Sequence, residues 1–124
     1  RRPGTVIDLT GGTKVMVEAL GAGRLHIDAY NHLAVLAWRD GGFKRAEKLY
    51  QQAFSIGRQV LPDNFKGRLT WTLFYNRPFL RAVHGLALFR VQNGNVSEAG
   101  RLLNRLLQFD PKDPLGAREI LRNL

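Results

Sequence analysis

The sequence predicts an all-α fold of two helical hairpins and a capping helix, in a single domain spanning residues 1–124. One pattern of small and bulky residues occurs twice, 53 residues apart, around Gly41 and Gly94. Apolar residues at helical spacing flank both glycines, and two such helices joined by a short loop form an antiparallel hairpin. Internal repeats of this kind determine the whole architecture. They favour a protein that binds over one that catalyses.

Residues 1–27 are predicted to be a short extended arm followed by a short helix. The arm is the β-like run Thr5–Leu9, and the helix is Lys14–Leu20, whose apolar residues recur at i and i+4. Gly21 is expected to end this helix, and Asp28 to cap the next one.

The first repeat is predicted at 28–61. Its first helix is expected over Ala29–Arg39, and its second over about Lys44–Val60, where Leu61-Pro62 closes it. Gly41 stops the first helix, because glycine adopts the left-handed conformation after a helix at little cost.

The second repeat is predicted at 78–111, after an insertion at 62–77. Pro78 suits the first position of a helix that runs to Gln92. Asn95 and Glu98 have the spacing of a capping box and predict the start of the second helix.

The insertion and the C-terminal segment complete the prediction. The insertion is too aromatic for a flexible linker, and we expect it to pack on the hairpins with its rings buried. These rings are Phe65, Trp71, Phe74 and Tyr75. At 112–124 a capping helix is expected from Pro114 to about Asn123, with Asp113 as its cap.

The two hairpins resemble tetratricopeptide repeats, and the second half resembles a group of bacterial repeat proteins of poorly defined function. The residues that carry the resemblance are Ala29, Tyr30, Leu33, Ala34, Gly41, Phe43, Ala46, Tyr50 and Ala53, and in the second copy Ala82, Leu86, Ala87, Gly94, Ala99 and Pro111. Repeats of this family are about 34 residues long, so the 53-residue spacing leaves 19 extra residues between the copies. The hairpins are therefore not expected to be simple tandem neighbours.

The resemblance implies a groove, lined by the first helix of each hairpin, that binds a partner protein or peptide. The groove residues carried over are Asn31, Val35, Trp38, Arg39, Arg81, His84 and Leu88. Asn31 would hold a peptide amide, and Arg39 and Arg81 would pair with a carboxylate. The alternative is that Val35 and Trp38 only pack against the N-terminal segment, since a groove normally needs about three or more repeats.

The net charge of +9 suggests a second function, binding to nucleic acid or another polyanion. No acidic residue lies between Asp63 and Glu98, an interval that contains Lys66, Arg68, Arg77, Arg81 and Arg90. The alternative is that these side chains pack by their stems and keep the protein soluble. A third possibility is a scaffold that forms homo-oligomers through an apolar face of the last helix.

Other classes of function find little support in the sequence. The chain has no cysteine, which excludes disulfides and thiolate chemistry and suits a reducing, cytoplasmic location. None of the three histidines has an acidic residue four positions after it, and no catalytic constellation is present. We therefore expect no enzyme activity, no cofactor and no metal, and no membrane span.

Overall fold

Five α-helices form the part of the chain that the structure describes, which confirms the predicted all-α class. A computed structural model describes the backbone of residues 9–124 and the side chains of residues 23–124. The helices are α1 (Leu9–Arg39), α2 (Phe43–Arg58), α3 (Arg77–Gln92), α4 (Val96–Phe109) and α5 (Ala117–Arg122), with a 3₁₀ turn at Phe74–Asn76. No strand occurs between residues 9 and 124.

The two hairpins repeat with the register that the sequence predicts. Helices α1 and α3 end 53 residues apart, and α2 and α4 begin 53 residues apart. Gly41 and Gly94 both have a φ of +81°, the left-handed conformation that favours glycine. The N–H of Gly41 donates to the Trp38 carbonyl and that of Gly94 to the Val91 carbonyl, each at 3.0 Å. One turn geometry therefore builds both hairpins.

Helix α1 is continuous, so the predicted short helix and the new start at Asp28 are wrong. Gly21, Gly23 and Asp28 all lie inside the 31-residue helix. A Cβ at Gly23 would lie 3.7 Å from Cγ2 of Ile56, so this glycine is at the contact between α1 and α2. The predicted arm Thr5–Leu9 lies outside the described residues except for Leu9, where α1 begins.

The hairpins pack directly on each other, contrary to the expectation that the insertion separates them. Asn31 of α1 donates from Nδ2 to the carbonyl of Pro78 at 2.8 Å. Gly57 of α2 lies against the ring of Phe79 from α3, so close that a Cβ on the glycine would be 2.1 Å from Cδ1. The largest fully buried apolar side chains are Phe79, Phe109, Ile27, Leu69, Leu80, Leu86, Leu103 and Val83. A single core therefore joins both hairpins.

The insertion is fastened to the end of α4, beside the hairpins rather than between them. The N–H of Leu69 donates to the carbonyl of Phe109 at 3.0 Å, and that of Trp71 to Oδ2 of Asp110 at 2.9 Å. Leu69 and Phe65 are buried. These contacts confirm an ordered excursion packed on the hairpins.

Two of the four aromatic rings of the insertion are exposed, which corrects the expectation for them, whereas Phe65 is buried and Trp71 is partly buried. Phe74 is 55% exposed and Tyr75 is 42% exposed. Their ring centroids are 4.3 Å apart, and the guanidinium carbon of Arg24 lies 4.9 Å from the Tyr75 ring. The two rings therefore pack on each other and on this guanidinium and remain partly open to solvent.

The C-terminal helix α5 begins three residues later than the sequence predicts. Gly116 and not the predicted Asp113 is at the N-cap position, but the Asp113 carboxylate still accepts from the backbone N–H of Ala117 at 2.6 Å and of Arg118 at 3.0 Å. Pro114 therefore precedes the helix instead of opening it, and Gly116 at the N-cap has a φ of +75°. The apolar side chains Leu115, Ile120 and Leu121 pack against the core. Helix α5 is thus a cap on the second hairpin.

Candidate functional site

An open groove of ≈ 530 Å³ lies between α1 and α3. Its lining contains five of the seven residues predicted for a binding groove, namely Asn31, Val35, Arg81, His84 and Leu88. Tyr50 of α2 lines it too, at a point where the backbone of Gly85 approaches the phenol ring closely. The equivalent first helices of the two hairpins thus form a shared concave surface.

Trp38 and Arg39 are the two predicted residues that the structure does not bring into this groove. Along α1 the lining runs from Leu25 to Val35, so it ends one turn before Trp38. The Trp38 side chain is 52% exposed at the end of the helix. The alternative that Val35 and Trp38 pack against the N-terminal segment involves side chains outside the described residues.

The lining also contains residues that the predicted groove did not include, among them Leu25, His32 and Tyr50. His32 follows Asp28 by four residues, and this helical spacing would have placed it on the same face. Leu25 falls before the predicted start of the helix, and Tyr50 is on α2, whereas the predicted groove was lined by the first helix of each hairpin.

Asn31 combines a structural contact with an unused acceptor. The residue is 5% exposed, and its Nδ2 donates to the Pro78 carbonyl, which fixes the orientation of the amide. No donor among the described residues reaches its Oδ1. A buried acceptor without a partner costs free energy, so an N–H group of a ligand that reached this atom would relieve a cost already present in the fold.

The polar groups of the groove include charges of both signs. Arg81 lies 3.8 Å from Asp28, and both side chains are about half exposed. The guanidinium carbon of Arg81 also lies 5.2 Å from the centre of the Trp71 ring. Burial raises the pKa of the Tyr50 hydroxyl, so this phenol is a neutral donor at pH 7. The groove can therefore contact carboxylate, amide and apolar groups together.

Burial lowers the pKa of His84 below its ordinary value, and the carboxylate of Asp113 opposes this in part. The unfolded chain therefore takes up a proton at about pH 6.5, and the folded chain only at a lower pH. Stability from the neutral imidazole is complete above about pH 6.5 and is lost as the pH falls towards the folded pKa.

We expect His84→Gln to flatten this dependence on pH. The free energy of unfolding, measured with urea at pH 7.5 and 5.5, should fall less on acidification in the variant than in the wild type. His26→Gln is the matched control, because His26 is exposed. Equal slopes for wild type and His84→Gln would refute the assignment of this dependence to His84.

Four of the five cations predicted for polyanion binding contact other groups of the protein, and three of the five are exposed. Arg90 pairs with Glu47 and Glu98 and is only 19% exposed. Arg77 donates from Nε to the Trp71 carbonyl at 2.7 Å. Arg68 contacts the carbonyl of Gln108, Arg81 approaches Asp28, and Lys66 is exposed. Most of these charges are thus engaged within the protein.

Three further observations concern known proteins, metal-ligand clusters and membrane-spanning helices. Comparison of the chain with protein-family models, curated proteins and solved structures found no match. Over the described residues, no group of three or more metal-ligating side chains could hold a metal ion. No helix in the same part of the chain is both long and apolar enough to cross a membrane.

Proposed function

We propose that this chain is a protein-interaction module of the tetratricopeptide type, and that the groove between α1 and α3 binds an extended peptide of a partner protein. The observation that carries the proposal is the meeting of five predicted groove residues in one open cavity. The matching hairpin registers and turn conformations support the choice of family.

The size and chemistry of the groove fit a peptide. Its volume of ≈ 530 Å³ lies within the range of about 300–1,000 Å³ common for ligand sites. Leu88 is 41% exposed and Leu25 is 71% exposed, so each offers an apolar contact. A peptide N–H would satisfy Oδ1 of Asn31, and a peptide carboxylate would compete with Asp28 for the guanidinium of Arg81.

The experiment selects ligands from a random peptide library displayed on phage, with the whole chain as bait. Selected peptides are then made and titrated by calorimetry. We expect Arg81→Gln to weaken binding about tenfold, the worth of one charge-assisted hydrogen bond. Leu88→Ser should weaken it as well, and both residues are exposed enough for the variants to fold.

Lys48→Gln is the control with the same change of charge, on the exposed surface of α2 outside the groove. It should leave the affinity unchanged. The proposal would be refuted if no peptide were selected. It would also be refuted if neither Arg81→Gln nor Leu88→Ser changed the affinity of the selected peptides.

Peptide binding is preferred to the other two functions that the sequence suggested. Arg90 is less available to a polyanion because it forms an ion pair within the protein. The apolar face of α5 is less available for self-association because it packs against the core. The groove retains exposed apolar and polar groups together.

A further inference from the structure

A second cavity, of ≈ 260 Å³, lies between α2 and α4 and shares no residue with the groove. Its apolar wall includes Phe54, Phe79 and Phe109. The rings of Phe54 and Phe79 are nearly parallel, with centroids 5.9 Å apart. This wall is a rigid aromatic surface, since Phe79 and Phe109 are each 1% exposed.

Three arginines surround the aromatic wall: Arg58, Arg101 and Arg105. Arg58 pairs with Asp63, whereas no carboxylate of the described residues pairs with Arg101 or Arg105. Glu98 also lines the cavity, but its carboxylate pairs with Arg90. The rim therefore carries an excess of positive charge.

Arg105 is held in place by hydrogen bonds that use only part of its guanidinium group. Both of its hydrogen bonds come from Nη1, to the Phe65 carbonyl at 2.8 Å and to Oε1 of Gln108 at 3.0 Å. A guanidinium has five N–H donors, so the donors on Nη2 and Nε remain. Burial lowers the pKa of Arg105, and the positive charge of Arg58 lowers it further while Asp63 opposes this. An anion at this point would offset the repulsion.

We propose that this cavity binds a small organic anion. Its carboxylate or phosphate group contacts Arg101 and Arg105, and its apolar body lies on Phe54, the partly exposed ring of the wall. The guanidinium carbons of Arg58 and Arg105 already lie 5.6 Å and 4.9 Å from the rings of Phe54 and Phe109. Charge and aromatic surface are therefore adjacent. The volume of this cavity lies just below the usual range of ligand sites, so we expect its ligand to be a compact molecule.

The test titrates the whole chain with 2-naphthoate and with phenyl phosphate, followed by NMR chemical shifts. The controls are 2-naphthalenemethanol, which lacks the charge, and inorganic phosphate, which lacks the ring. Saturable binding of either aromatic anion, about tenfold tighter than both controls, is expected from one charge-assisted hydrogen bond.

Arg101→Gln should weaken that binding about tenfold by loss of its charged contact, and Lys48→Gln, with the same change of charge, should not. Arg101 is exposed, so its variant is expected to fold. Equal affinity for 2-naphthoate and 2-naphthalenemethanol, unchanged affinity in Arg101→Gln, or shifts confined to the groove residues His84 and Leu88 would each overturn the proposal. None of these results bears on peptide binding, which uses different residues.

Discussion

Gly57→Ala is expected to destabilise the protein by about 3 kcal/mol, although alanine is the better helix former. The added Cβ would lie 2.1 Å and 2.3 Å from Cδ1 and Cε1 of Phe79. Overpacking of this kind costs roughly 1–3 kcal/mol or more, whereas the gain in helix propensity is about 1 kcal/mol. We place the net effect at the upper end, because the overlap exceeds 1 Å and the partner is a ring.

The Phe79 ring has no room to move aside. It is 1% exposed, and it packs between Phe54 and Phe109 with ring centroids 5.9 Å and 6.0 Å away. The clash must therefore push α2 and α3 apart, which opens the contact between the two hairpins.

Thermal and urea unfolding would measure the effect, with an expected fall in Tm of about 10 °C for a domain of this size. Gly100→Ala is the matched control. It also lies within a helix, but a Cβ there would meet nothing within 4 Å, so we expect a gain of about 0.5–1 kcal/mol. Phe79→Leu should rescue part of the loss in Gly57→Ala, as coupled neighbours do. A Gly57→Ala protein as stable as wild type would contradict the observed approach of α2 and α3.

The same glycines show what the sequence could and could not predict. Gly41 and Gly94 were interpreted correctly, because a glycine after an amphipathic run has one common local use, the left-handed helix end. Gly21 and Gly23 also follow a run of apolar residues, but they lie inside α1. A glycine inside a helix costs only about 1 kcal/mol relative to alanine, and at Gly23 the packing of α1 against Ile56 outweighs this cost. The sequence alone does not say which neighbour is present.

The groove was predictable in part for a related reason. Asn31, Val35, Arg81, His84 and Leu88 were carried over from the resemblance to tetratricopeptide repeats, and that resemblance rests on repeat register and helical spacing, which are local. The 19 extra residues between the copies did not predict how the hairpins pack. The insertion lies beside the hairpins, where the N–H of Leu69 donates to the carbonyl of Phe109. Long-range contacts of this kind leave no periodic signal in the sequence.

The ion pairs of Arg90 are a second feature that we expect to contribute strongly to the stability of the fold. The Arg90 guanidinium pairs with Glu47 of α2 and lies 3.3 Å from Oε1 of Glu98 on α4, and its Nη2 donates to Gln51 at 2.8 Å. Arg90 and Glu47 are 19% and 18% exposed. One side chain of α3 thus connects the second helices of both hairpins, and solvent screens this contact less than it would screen a surface pair.

Arg90→Met is therefore expected to cost about 2–3 kcal/mol, less than the 3–5 kcal/mol typical when one partner of a fully buried pair is removed. The loss arises mainly because the Glu47 carboxylate stays largely buried, with Asn93 as its donor at 2.9 Å. Urea unfolding would measure it, and Lys48→Met on the exposed surface of α2 should change stability by less than about 0.5 kcal/mol.

The double variant Arg90→Met with Glu47→Met separates an unpaired charge from lost packing. Replacement of both partners by apolar residues is often neutral, so we expect the double variant to recover most of the stability lost in Arg90→Met. If it proved less stable than Arg90→Met alone, the loss would come from the stem of Arg90 and not from the stranded carboxylate. That outcome would refute the ion pairs as the link between the second helices.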